Sequence, residues 1–251
     1  MIMRKSLVLA ALGTAALLAC GGGEPTEPPA AEPKAAPAAA TGTAGVTGKI
    51  SYEGEPPAAE RVKLTADPKC AAMHKGGLER WQVHVKDGGL ADVLVYVKSG
   101  VKGAHPAPAE PALLDQNGCD YTPHMLAMRA GQPLKIRNSD DTLHNIHPRP
   151  QVNAEFNIGQ PRQGMESTKS FDKPEVMIPV GCDVHPWMRA YISVFDHPFY
   201  TVSTEDGTFE IKGLPAGEYE IEAFHGKLKG QTQKVTVKDG ETATLSFSFK
   251  G

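Results

Sequence analysis

Asp206-Gly-Thr-Phe-Glu-Ile-Lys-Gly-Leu-Pro-Ala-Gly-Glu-Tyr-Glu-Ile221 sets large apolar side chains two residues apart, Phe209 with Ile211 and Tyr219 with Ile221, and divides the pairs at Pro215-Ala216-Gly217. A two-residue period puts such side chains on one face of a strand, and a Pro-Gly break between two periodic runs is a turn. The same phase continues in Val235 and Val237 and in Leu245, Phe247 and Phe249, with Asp206-Gly207 and Asp239-Gly240 marking further turns. Upstream, strand chemistry recurs in Gly48–Tyr52, Asp92–Val97, Leu134–Ile136 and Tyr191–Phe195. No segment keeps helical spacing of apolar residues for several turns, so the chain reads as all-β.

The run Asp206–Tyr219 resembles the core motif of the carboxypeptidase-regulatory-like, transthyretin-like sandwiches, whose opening strands are similar to Gly48–Tyr52 and Val93–Val97. That resemblance implies a structural or binding module.

Between those halves lies Val180-Gly-Cys182-Asp-Val-His185-Pro-Trp187-Met188-Arg189, in which a thiol, an imidazole and a thioether follow at three-residue steps. A tight loop between strands can turn all three toward one point, whereas a strand would alternate them between faces. A fourth donor comes from Asn138-Ser-Asp-Asp-Thr-Leu-His144-Asn145-Ile146-His147. Two imidazoles, a thiolate and a weak axial thioether are the donors of a type 1 copper site.

Cys182–Arg189 resembles the ligand loop of the cupredoxins in its amicyanin form, Cys-x-x-His-Pro-Phe-Met-Arg, and His144-Asn145-Ile146 resembles the segment supplying that family's first histidine. The likeness covers about residues 119–195. It implies one copper ion with His144, Cys182 and His185 equatorial and Met188 axial. It also implies that Asn145 ties the two ligand loops together, and that Trp187 sits near an exposed edge of His185 through which electrons pass. His147 and Glu175 are further candidate donors. The expected fold is a Greek-key β-sandwich of cupredoxin type over residues 111–199, nested in a carboxypeptidase-regulatory-like sandwich made from residues 46–110 and 200–251. A single enlarged cupredoxin domain with a C-terminal extension is the alternative.

Residues 4–19 begin with Arg4-Lys5 and become apolar from Leu7 to Ala19, too short a run to cross a bilayer. With Leu17-Leu18-Ala19-Cys20 they read as a lipoprotein signal peptide, 1–19, and make Cys20 the lipidated anchor. Residues 20–45, rich in Ala, Pro and Gly, read as a flexible tether. The expected address is the periplasm, at the outer membrane because Gly21 rather than Asp follows the anchor. Losing Arg4 and Lys5 with the signal takes the formal charge from −3 to −5, and no basic run remains for nucleic acid.

The mature chain then holds Cys70, Cys119 and Cys182 besides the anchor. Three thiols cannot all pair, so Cys182 is read as the ligand and Cys70 with Cys119 as a disulfide, the rival being a second metal site with His74 and His124. There is no Cys-x-x-Cys-His haem motif, phosphate-cradling Gly-rich loop or Gly-x-Ser-x-Gly elbow. The expected function is therefore one-electron transfer with an unnamed redox protein, not enzymatic catalysis. Copper buffering or delivery, and a metal-free binding lipoprotein touching polysaccharide, are the competing readings.

Overall fold

The computed structural model of the chain describes residues 42–64 and 67–251. The signal peptide, Cys20 and most of the tether lie outside these residues. The tether expected through residue 45 gives way earlier, because the strand Ala44–Glu53 already pairs with Thr208–Leu214 and buries Ala44.

Four main sheets build the described chain. The first holds Ala44–Glu53 between antiparallel Thr208–Leu214 and parallel Thr242–Lys250. The second runs Tyr200–Val202, Leu94–Ser99, Gly217–His225, Lys229–Val237. The buried faces of these two share one core that includes Val46, Ile50, Val95, Phe209, Ile221 and Phe247. Gly48 sits in the same alternation, and a Cβ there would meet the Phe209 ring at 2.7 Å, so glycine makes room for that ring.

The third sheet runs Ile158–Gln160, His144–Pro148, Glu175–Gly181, Arg189–Phe195, Met125–Arg129. The fourth runs Glu166–Lys169, Leu134–Asn138, Ala112–Gln116, Tyr121–Thr122. Their common core takes Leu114, Met128, Ile136, Ile146, Ile178, Ile192 and Val194. Every residue of this second core falls between 112 and 194, and the first core draws on residues before and after that span.

A third cluster joins the second sheet to the third. Leu94 and Tyr96 of one pack with Met125 and Phe195 of the other, the Tyr96 and Phe195 rings 5.0 Å apart. Val93, Val95 and Val97 face the first core while Leu94 and Tyr96 face this junction. Burial on both faces is what an unbroken apolar run such as Val93–Val97 encodes. Arg189–Phe195 divides likewise, with Ala190, Ile192 and Val194 facing the second core and Tyr191 and Phe195 the junction.

Between Glu53 and Val85 the chain leaves the first sheet and forms a short hairpin, Glu60–Val62 with Leu78–Arg80, and the helix Pro68–Met73. Asp67 caps this helix, its Oδ1 accepting from the backbone N–H groups of Lys69 at 2.7 Å and Cys70 at 3.0 Å, with Pro68 in the first turn. Its own core is small, little more than Leu64 and the two half-cystines, and a disulfide from Cys70 to Cys119 ties it to the second sandwich. The pairing removes both thiols from the rival metal site, and His74 instead lies against the Gly118 carbonyl at 2.6 Å.

This excursion depends on its tie. The half-cystines are 49 residues apart, so loop-closure entropy assigns the bond about 4 kcal/mol. In the Cys70→Ser/Cys119→Ser variant, hydrogen exchange followed by mass spectrometry is expected to speed up over residues 60–80 while Ala44–Glu53 stays protected. Equal loss of protection in both would show that the excursion is not the locally held element.

Candidate metal centre

The strand Glu175–Gly181 pairs with Arg189–Phe195 so that Gly181 faces Arg189, and the seven residues between them form the loop. The loop closes on itself. Cys182 N–H donates to the Met188 carbonyl at 3.3 Å and Met188 N–H to the His185 carbonyl at 2.9 Å. The neighbouring strand begins at His144, where buried Asn138 fixes the approach. Its Nδ2 donates to the Thr142 and Gln160 carbonyls, both at 2.8 Å, and its Oδ1 accepts from Asp140 N–H at 3.0 Å.

These two elements bring His144, Cys182 and His185 together, one donor atom of each lying within 4.8 Å of the others. The two Nδ1 atoms are 2.9 Å apart, and Cys182 Sγ is 3.8 Å from His185 Nδ1. All three residues are buried, and Met188, fully buried, packs in the same core as Cys182. His147 and Glu175 point elsewhere. His147 lies 2.6 Å from Glu155 and 3.1 Å from Asp183, while Glu175 accepts from the backbone of Val152 and Asn153.

Asn145 bridges the two loops, its Oδ1 accepting from Asp183 N–H at 2.7 Å and from the Cys182 thiol at 3.2 Å. Asp183 in turn gathers Asn157, Arg149 and His147 around its carboxylate.

The outer nitrogen of each imidazole meets a carboxylate. His144 Nε2 is 2.9 Å from Asp140, whose oxygens also accept from Gly118 N–H at 2.8 Å and Cys119 N–H at 2.7 Å. His185 Nε2 is 2.9 Å from Asp67 Oδ2, the oxygen not used in capping the helix, which also accepts from the Thr142 hydroxyl at 3.0 Å. A carboxylate on Nε2 fixes the proton there and leaves Nδ1 as the free donor. Two such Nδ1 lone pairs at 2.9 Å oppose each other unless a proton or a cation lies between them. The donor set therefore fits a soft or borderline transition metal, which takes up both lone pairs and the thiolate.

Asp67 also corrects the expected exposure of His185. Only 1% of His185 is accessible, because the excursion that carries Asp67 covers its outer edge. Trp187 does lie against His185, with ring centroids 5.0 Å apart, and its Nε1–H donates to the Cys119 carbonyl at 3.1 Å. The residues that sequence reasoning passed over are Asp67, Asp140 and Asp183. Asp67-Pro68 carries a helix-start signal, a capping residue followed by proline, and nothing in it points to a histidine 118 residues away.

Electrostatics follow from this packing. Burial raises the Cys182 thiol, but hydrogen bonds from His144 and His185 outweigh it and bring it down from 9.0 to about 6. Burial lowers His144, but its bonds to Asp140 and Cys182 carry it up from 6.5 to about 9. Burial works against the Asp67 carboxylate too, yet Cys70 N–H and His185 hold it at about 2.

A family model of the carboxypeptidase regulatory-like domain matches residues 185–250. No curated protein matches the chain. Among solved structures, a purple cupredoxin from Nitrosopumilus maritimus is 21% identical, with 34% of this chain and 99% of that one aligned at a TM-score of 0.29. A Cu(I) form of an amicyanin variant is 19% identical over 40% of this chain and 98% of its own, at 0.31. A copper-containing nitrite reductase from Thermus scotoductus SA-01 is 22% identical at 0.30, and there the match spans 40% of this chain and a quarter, 25%, of the reductase.

In the metal-free protein the thiolate and the imidazolium coexist. Cys182, with a lowered value, contributes stability above its ordinary 9.0 that is lost as pH falls through about 6. His144, with a raised value, contributes stability below 6.5 that is lost as pH rises through about 9. Ultraviolet thiolate absorbance, taken as a difference against Cys182→Ser, is expected to titrate with a midpoint near 6. A midpoint left at 9.0 would mean that the histidines do not reach the sulfur.

Proposed function

We propose that this chain binds one copper ion through His144 Nδ1, Cys182 Sγ and His185 Nδ1, with Met188 as a weak fourth ligand, and serves as a one-electron carrier rather than an enzyme. The observation that carries the reading is the convergence of two Nδ1 atoms and one thiol in a buried site, each imidazole having its opposite nitrogen taken by a carboxylate. Copper bound there would supply a one-electron couple, with thiolate and thioether favouring Cu(I) and imidazole accepting both states.

The chain's own residues do the rest. Asp140 and Asp67 hold the imidazoles in one tautomer and orientation. Asn145 locks the Cys182 loop to the His144 strand. The surrounding core keeps water away from the sulfur, Cys182 being 4% accessible. A ligand set held this firmly keeps reorganisation between oxidation states small.

The reading extends to location and layout. The carrier would be a periplasmic lipoprotein anchored by Cys20, with no nucleic acid among its partners; its redox partner would be a protein met in the same compartment. Residues 111–199 would form the copper domain, nested in a regulatory-like sandwich of residues 46–110 and 200–251.

One observation favours a second reading, copper buffering or delivery. The Asp67 cap covers the His185 edge, which would slow outer-sphere exchange between protein molecules.

The test is reconstitution of the fragment from residue 42 with one equivalent of Cu(II), followed by visible and electron paramagnetic resonance spectra. An intense thiolate-to-copper band with narrow copper hyperfine splitting is expected, and Cys182→Ala should lose the band while keeping the strand content. A colourless protein that retains no copper would overturn the reading. Slow self-exchange combined with transfer of Cu(I) to an acceptor would move the function from carrier to delivery.

A further inference from the structure

A cleft of about 600 Å³ opens where the 60–63 strand and the 80–92 segment meet the metal loop and the junction sheets. Its volume lies in the range of small-molecule sites, about 300–1,000 Å³. Both tryptophans of the chain, Trp81 and Trp187, line it. Trp81 is 46% accessible, an indole left on the surface with no core to enter.

The polar lining sorts by depth. Arg61, Lys63, Arg189 and Lys227 are exposed cations around the cleft, opposed by two carboxylates, Glu60 and Asp92. Arg80 is already committed to Asp120, His124 and the Arg189 carbonyl and adds no free charge. Deeper in, burial holds His124 and His225 below the ordinary imidazole value, so these two rings add no positive charge at pH 7. Four outer cations against two carboxylates stand out on a chain whose formal charge is −3, and the half-buried Asp92 beside His124 and His225 keeps an anionic group at the outer cations rather than in the depth of the cleft.

We propose that this cleft is a binding site for an aromatic organic acid, its ring packed on the indoles and its anionic group held by the surrounding lysines and arginines. Cation–anion attraction at the rim and ring packing inside are each modest alone and select together for that amphipathic shape. Trp187, 5.0 Å from the His185 ring, would put the bound ring one side chain from the metal centre. That last consequence rests on the copper reading, whereas the site itself does not.

The experiment uses metal-free protein, so failure of copper binding leaves it intact. The two indole N–H signals in a 1H–15N correlation spectrum both report on the cleft, and 4-nitrobenzoate serves as probe with 4-nitrobenzylammonium as its cationic counterpart. Saturable shifts of the indole signals are expected, with the anion bound at least about tenfold more tightly than the cation. Lys63→Gln/Lys227→Gln should weaken the anion by about tenfold, while Lys102→Gln/Lys238→Gln, away from the cleft, should leave it unchanged. Absence of saturable shifts, equal binding of anion and cation, or indifference to the Lys63/Lys227 change would each overturn the proposal.

Discussion

Two imidazole nitrogens face each other at 2.9 Å in a buried pocket, and the architecture around them keeps them there. Two neutral rings with free Nδ1 lone pairs would turn apart, and in the metal-free protein the protonated His144 ring supplies the hydrogen that lies between them. They are held because each Nε2 is fastened to a carboxylate, and each carboxylate is fastened to backbone: Asp140 to the Gly118 and Cys119 amides, Asp67 to the amides that open a helix. Burying ionised groups is costly unless they are paired and hydrogen-bonded, and here both oxygens of each carboxylate are engaged. The pocket is thus pre-set for something that accepts two nitrogens and one sulfur at once.

That arrangement explains why the excursion between Glu53 and Val85 is where it is. It has little core of its own, so its position is set by the Cys70–Cys119 disulfide, by Asp67 and by the Arg80 contacts to Asp120, His124 and the Arg189 carbonyl rather than by burial. Cys119 takes part twice, through its sulfur on the excursion and through its amide on Asp140. The two carboxylates that orient the imidazoles are therefore linked through the Cys70–Cys119 pair, whose amides bond to Asp67 and Asp140.

The β-architecture was legible wherever a strand buries a face. Phe209, Ile211, Tyr219, Ile221, Phe247 and Phe249 alternate in the sequence and all lie in the first core. The convergence of Cys182 and His185 was legible because residue spacing on one turn is local information, and Cys70 with Cys119 because an odd set of thiols constrains pairing. The covering of His185 was not. It depends on a contact between residues 118 apart, carried by an aspartate whose local signal speaks only of a helix start. Resemblance to cupredoxins supplied the expectation of an open His185 edge, and an excursion outside the resembling segment removed it. The signal peptide and Cys20 lie outside the described residues.

In a one-electron carrier, covering His185 would change where charge can pass. Electron transfer through a protein edge needs close approach, and the carboxylate at His185 Nε2 both blocks that approach and places negative charge at it. Trp187 would offer another route: it packs against His185 on one side and lines a cleft on the other. An indole is polarisable, and its N–H is already satisfied by the Cys119 carbonyl, so the ring is fixed while one part of it stays accessible. The side chain that the sequence placed at the rim of an exposed histidine thus stands between a covered histidine and solvent, and the cationic surroundings of its cleft favour an approaching anion where Asp67 would repel one.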